Sequence, residues 1–221
     1  MTEYVKYPRT FHLPWSKGTS SDDRLMTARD LDVFKGREIV VTEKLDGENT
    51  TMYRDKIHAR SLDSRSYPDQ NWVRQLHGQI QHDIPDGWRV CGENMYAKHS
   101  IYYDRLTTFF YVFSIWNEYN VALSWDDTKE YASMLGLQTV PELYRGNWNE
   151  DAVKACWPDR SAYGNEQEGY VVRVVEHMDF PTVTKEHEMP VFPELAKFVR
   201  EKHVRTNQFW RQTWTPNKLK D

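Results

Sequence analysis

The stretch Val40-Val41-Thr42-Glu43-Lys44-Leu45-Asp46-Gly47-Glu48-Asn49 has chemistry in it. Apolar and β-branched residues run into a lysine, and a carboxylate and a glycine follow at once. A strand that ends by presenting a lysine and then turns sharply is a place to hold a reactive amine. An amine is nucleophilic only when deprotonated, and a free lysine, with a pKa of about 10.4, is not. Read alone, Asp46-Gly47 is first a turn signal, and the lysine beside it is an ordinary solvated hairpin residue. Three further stretches carry charge at strand ends, where a core strand should have none. They are Cys91-Gly92-Glu93-Asn94, Glu168-Gly169-Tyr170-Val171-Val172-Arg173 and Ala196-Lys197-Phe198-Val199-Arg200. The apolar run Tyr111-Val112-Phe113-Ser114-Ile115 lies between the first two. Each has a plain alternative: Glu93 and Glu168 as salt-bridge partners at a sheet edge, Phe113 as core.

Strands and helices have to position these groups. Residues 1–36 read as an irregular arm, with Tyr4, Tyr7, Phe11 and Trp15 laid over the body and Ser20 to Asp23 capping a short helix that runs to Asp30. Alternation predicts strands at 38–43, 50–54, 56–60, 88–93, 121–125, 169–175 and 195–199, and an apolar strand at 109–116 buried on both faces. Trp72, Leu76 and Ile80 recur every four residues in a helix opened by Asp69. A second helix at 127–135 is capped by Asp126 and closed by Gly136. A third fits 149–157, and 181–193 reads as a polar connector. The pattern predicts an α+β fold with a mainly antiparallel sheet.

Composition narrows the class. The chain has 221 residues, 28% of them charged and 39% hydrophobic, which describes a folded globular protein. No apolar run approaches the roughly 20 residues of a membrane span, and the opening Met-Thr-Glu-Tyr is no signal peptide. Cys91 and Cys156 are too few for a disulfide framework, so a reducing cytoplasm is expected. The net charge of −4 does not advertise nucleic-acid binding. From Leu195 onward, however, seven Lys/Arg face two acids, interleaved with Phe198, Phe209, Trp210 and Trp214. Such a tail can contact phosphates and stack on bases, or pack its aromatics on the body.

In their order, the five charged or aromatic stretches resemble the motifs of the covalent nucleotidyltransferases, the polynucleotide ligases and mRNA capping enzymes, and most closely the ATP-dependent RNA ligases. The resemblance covers Lys44 to Arg200. It implies an ATP-grasp-like ligase adenylation domain over residues 1–200, arm included, with a short basic tail at 201–221. It further implies that Lys44 takes AMP from ATP, that AMP passes to an RNA 5′-phosphate, and that an RNA 3′-hydroxyl then seals the ends. Mg²⁺ or Mn²⁺ is the implied metal, Glu168 its ligand and the residue tied to lysine activation. Glu93 would receive the ribose hydroxyl and Phe113 would stack on adenine. The backbone of Thr42 and Glu43 would read the adenine edge, with Asn49 and Arg60 contacting the nucleotide or the RNA end. Lys197 and Arg200 would hold phosphate and act as the cations that lower the Lys44 pKa.

Some positions depart from that pattern. Ser114 stands where many relatives have aspartate. Val199 fills the place of the second cation in the last motif, leaving Arg200 or Lys202 to supply it. Asp46 is shared with DNA ligases and capping enzymes, so it does not choose among them. Only 21 residues follow Arg200, against the roughly 70 of the OB-fold domain that DNA ligases and capping enzymes carry there. An RNA ligase acting as a monomer is the reading this favours. A catalytically inactive RNA-binding protein on the same fold, a DNA ligase and a guanylyltransferase are the alternatives. An RNA-engaging tail predicts that truncation before Lys202 spares lysine adenylylation more than sealing. His12, His77 and His99 have no partner legible in the sequence.

Overall fold

The computed structural model describes residues 4–20, 23–62, 67–157, 160–180, 191–201 and 214–221. The strands are β1 (Arg9–His12), β2 (Glu38–Lys44), β3 (Glu48–Met52), β4 (Ile57–Ala59), β5 (Arg89–Asn94) and β6 (Phe110–Trp116). They continue with β7 (Val121–Ala122), β8 (Gln138–Thr139), β9 (Glu142–Asn147), β10 (Gly169–Val174), β11 (Met178–Asp179) and β12 (Val191–Val199). The α-helices are α1 (Asn71–Ile80), α2 (Trp125–Met134) and α3 (Glu150–Ala155). This is an α+β fold of two sheets, one ordered β1-β12-β10-β2-β9 and the other β11-β7-β6-β5-β3-β4 with β8 beside β6. Among the described strands, all pairs are antiparallel except β1 with β12 and β6 with β8. No described helix is long and apolar enough to cross a membrane.

Both faces of the central strands are covered, which is why they read as near-continuous apolar runs. In β2, Ile39 and Val41 enter a core shared with Phe34, Tyr170, Val172 and Val153 of α3. Val40, on the opposite face, packs with Leu45, Tyr103, Tyr111 and Trp125. A third cluster holds α1 and α2 against the other sheet through Val73, Ile80 and Ala132, packed with Val90, Val112 and Ile115.

Local signals explain most differences from the sequence reading. The arm forms no α-helix at 23–30. Its backbone pairs with β1 instead, His12 N–H donating to Arg24 O and Met26 N–H to His12 O, both at 2.7 Å. The cap of α2 is Ser124, whose Oγ accepts from Asp127 N at 3.1 Å, two residues before the expected Asp126. Asn149 caps α3, accepting from Ala152 N at 2.9 Å. The last strand is longer than the predicted 195–199, because β12 runs through Pro193. Its pairing with β1 is interrupted there, Thr10 opposing Phe192 and Phe11 opposing Ala196, so the proline occupies a break in the ladder. The short strands β1, β8, β9 and β11 carry too little alternation to be legible. Of the connector expected at 181–193, residues 181–190 lie outside the described residues, as do Lys202 and most of the tail, and 191–193 belong to β12.

Candidate active site

β2 crosses from one sheet to the other at Lys44. The lysine ends β2, residues 45–47 make the turn, and β3 begins at Glu48 in the second sheet. Asp46 fixes that turn, its Oδ2 accepting from Ser100 N (2.8 Å), Ser100 Oγ (2.6 Å) and Ile101 N (2.8 Å). Gly47 is required by proximity. A Cβ there would sit 2.5 Å from Asn94 O and 2.7 Å from the Met95 sulfur. The turn lies against β5 and its N–H donates to Glu93 Oε1 at 3.1 Å.

Between the sheets is a cleft of about 260 Å³. Strand register explains one wall: Thr42, Val171 and Lys197 form one cross-strand row on β2, β10 and β12, and Arg173 pairs with Leu195 in the next. All five line the cleft. Opposite them stand Asn49 of β3 and Glu93 of β5, a directly paired couple. Phe113 reaches the cleft through a bulge. Gly92 opposes Val112 and Cys91 opposes Ser114, so Phe113 is the extra residue of β6 and its side chain is re-aimed. Its ring meets the edge of Tyr7 from the arm, with centroids 5.2 Å apart at 78°.

Lys44, Thr42, Glu43, Asn49, Arg60, Glu93, Phe113 and Lys197 all line this one cleft. The Glu43 carboxylate is turned away, accepting from Ala162 N at 3.1 Å, while its backbone N–H donates to Pro141 O at 2.9 Å. Glu168 is nearly buried and accepts from Lys44 Nζ at 2.6 Å. Arg200 is not brought to the cleft. Its Nη1 meets Glu166 Oε2 at 2.5 Å, and Arg60 is the cation that accompanies Lys197 instead. Sequence reasoning left Arg173 and Tyr7 out of the site, and both line it. Arg173 carries a signal that finds it: a charged residue in the middle of a buried strand.

The electrostatics describe a resting site. Burial works to lower the Lys44 pKa, but the Glu168 and Glu93 charges outweigh it and the net shift is upward. The cationic neighbours expected to depress it do not prevail, so the amine rests protonated. Burial drives Glu168 up to about 7, with Lys44 pulling the other way. It drives Glu93 to about 8, the Glu168 charge adding to the rise. Burial, and then the Lys44 charge, bring Lys197 down to about 8. His12 finds partners after all, Asp23 Oδ1 3.1 Å from Nε2 and Ser16 Oγ 2.9 Å from Nδ1. Burial, and then Lys197, hold it near 4 and neutral. His77 is a buried packing residue whose Nε2 lies 2.6 Å from Tyr53 O.

A half-buried lysine on a buried glutamate, facing a cleft between two sheets with a second lysine and an aromatic on its walls, has the make-up of a nucleotidyltransferase site. The RNA ligase family model matches residues 37–190, well over half of the chain, and the chain belongs to that family. Among solved structures it is similar to Naegleria gruberi RNA ligase. A variant of that protein with ATP and manganese matches at TM-score 0.58 and 20% identity, over 78% of this chain and 52% of that one. The same ligase with pyrophosphate matches at TM-score 0.56 and 20% identity, over 81% and 54%. A variant with AMP and manganese matches at 0.55 and 18%, over 78% and 52%. The present chain thus spans about half the length of these solved relatives. No curated protein matches the sequence.

Proposed function

We propose that the protein is an ATP-dependent RNA ligase that carries AMP on Lys44. The observation that supports this most is the 2.6 Å contact between Lys44 Nζ and Glu168 at the mouth of a cleft that also presents Glu93, Phe113 and Lys197. The base fits between Phe113 and Val171, the ribose hydroxyls face Glu93, and the phosphates meet Lys197 and Arg60. Phosphate charge beside Lys44 adds to the negative potential there, so the amine gives up its proton only to a group poised to take it. Glu168, in direct contact with Nζ, is the group placed to receive it.

Nζ then attacks the α-phosphorus of ATP. An N–P bond forms, the bond from the α-phosphorus to the bridging oxygen breaks, and pyrophosphate leaves with the electron pair, its charge met by Lys197. In the next step an oxygen of an RNA 5′-phosphate attacks the same phosphorus and the N–P bond breaks. A 3′-hydroxyl finally attacks that 5′-phosphate and AMP departs. Beyond burial, the Glu168 charge helps to raise the Glu93 pKa, and Asp46 does the same for Glu168, so hard oxygen donors gather beside Lys44 where a divalent cation would be held by Glu168. When bound, such an ion supplies positive charge to the phosphates.

Incubation with α-labelled ATP tests the reading. The protein acquires a covalent label that withstands alkali and is lost in hot acid, as a P–N bond requires, Lys44→Ala acquires none, and sealing of RNA 3′-hydroxyl nicks exceeds sealing of matched DNA nicks. Labelling of Lys44→Ala would overturn the assignment.

A further inference from the structure

The N-terminal arm is tied to both sheets. Tyr4 Oη donates to Asp55 Oδ2 at 2.8 Å, and Lys56 Nζ lies 4.2 Å from the centre of the Tyr4 ring. Val5 N–H donates to the hydroxyl of the buried Tyr53 at 2.9 Å. Tyr53, Asp55 and Lys56 belong to the hairpin of β3 and β4 in the second sheet. A few residues further on, β1 joins the first sheet, where Arg9 opposes Val191 and His12 opposes Lys197. Residues 6–8 are therefore a strap from one sheet to the other. The strap passes the cleft, with Tyr7 and Pro8 on its lining and Thr10 just beyond them.

Tyr7 meets two aromatic residues of β6. Its ring centroid is 5.2 Å from that of Phe113 at 78° and 6.5 Å from that of Trp116 at 87°, nearly perpendicular to both. Perpendicular pairs set the positive edge of one ring on the negative face of the other. The contact matters because of where Phe113 sits. As the extra residue of a bulge it is opposed by no residue of β5. The bulge aims its Cα–Cβ bond, but the ring torsion of a phenylalanine is broad by itself and needs a neighbour to fix it. Cover for the core is the simpler role of such an arm, and it predicts a loss of stability with no change in what the cleft prefers.

We propose that Tyr7 is a positioning residue for the nucleotide base: the strap holds its ring against Phe113, and this fixes the plane on which the base stacks. The inference rests on the nucleotide reading of the cleft. It concerns the base and not the phosphates, which is what makes it separable from a general loosening of the fold.

Isothermal titration of the full chain with AMP and with inorganic pyrophosphate tests it, beside single-turnover adenylylation of Lys44 by ATP. Tyr7→Ala weakens AMP about three- to tenfold, the order expected of one aromatic pair, and leaves pyrophosphate within about twofold. The ATP concentration at half-maximal rate rises by a similar factor, while the maximal rate changes less. Tyr7→Leu keeps apolar volume without a ring and behaves as Tyr7→Ala. Tyr7→Phe keeps the ring and holds AMP within about twofold of the unaltered protein. Unchanged AMP affinity in Tyr7→Ala and Tyr7→Leu, equal losses for AMP and pyrophosphate, or a Tyr7→Phe variant as weak as Tyr7→Leu would overturn the proposal. Phe113→Ala separates it from the nucleotide reading. Should Phe113→Ala weaken AMP and Tyr7→Leu not, the positioning role falls and the nucleotide reading stands. Should the unaltered protein bind no AMP, both fall.

Discussion

Lys44 and Lys197 are both lysines in the same cleft, and their surroundings push them in opposite directions. Lys44 faces two glutamates and is held charged, whereas Lys197 is half-buried near Lys44 and brought down to about 8 by desolvation first and the Lys44 charge second. The sign of the consequence follows from that value. Lys197 attracts phosphate only while protonated, so affinity for pyrophosphate falls as pH rises from 7 to 9, by up to about tenfold. A lysine at its ordinary value would hold its charge to about pH 10. Lys197→Arg flattens the profile over that range, because a guanidinium does not titrate there. Titrating pyrophosphate binding against pH for both proteins checks this. The sequence showed the pairing poorly. It identified Lys44, Glu93, Phe113, Glu168 and Lys197 as a set, but it gave Arg200 to the phosphates when Glu166 holds it and left Arg60 as the accompanying cation. Which of several cations in a strand-end cluster turns inward is decided by partners far away in the chain.

Strand register explains why the site is assembled on β2, β10 and β12. β10 lies between the other two, and Gly169 opposes Lys44 on one side and Val199 on the other. A Cβ at Gly169 would lie 1.9 Å from the Phe198 carbonyl oxygen, which is backbone and cannot step aside. Gly169→Ala accordingly forces β10 and β12 apart. A loss of several kcal/mol or failure to yield soluble protein is expected, measured by urea unfolding. The strands carrying the motifs were the legible ones, since each is long and apolar. What the alternation could not show was the extra residue of β6. A periodic reading sends Phe113 to a face by parity, and the bulge at Cys91/Gly92 is what aims it at the cleft. The two-residue β8 and the largely exposed β9 were missed for a similar reason, because their existence depends on neighbours rather than on their own pattern.

At the scale of the molecule, the last residues of the chain reach back to the loop that holds the turn after Lys44. Asn217 is buried, its Nδ2 donating to Met95 O (2.7 Å) and Ala97 O (3.3 Å) and its Oδ1 accepting from Tyr103 N (3.0 Å). Backbone bonds from Lys98 to Thr215 and from Lys218 to Tyr103 extend the seam. The 95–106 loop held this way is the one whose Ser100 and Ile101 amides grip Asp46. Asn217→Ala leaves three buried backbone groups without their partner and costs about 1–3 kcal/mol, read from urea unfolding. This seam also changes the forecast for the tail. Removal of 214–221 loosens the turn after Lys44, so adenylylation falls along with sealing rather than being spared.

The two sheets are joined at the cleft by short crossings. Residues 45–47 carry the chain from β2 to β3, and Val140-Pro141 carry it from β8 to β9. The second crossing lies against the end of β2, where Glu43 N–H donates to Pro141 O. A third, residues 175–177, carries it from β10 to β11. Glu93 belongs to one sheet and Lys197 to the other, so each wall of the cleft is held by its own ladder. Lys44 ends a strand of one sheet at the turn that opens a strand of the other, and its position is set by both at once.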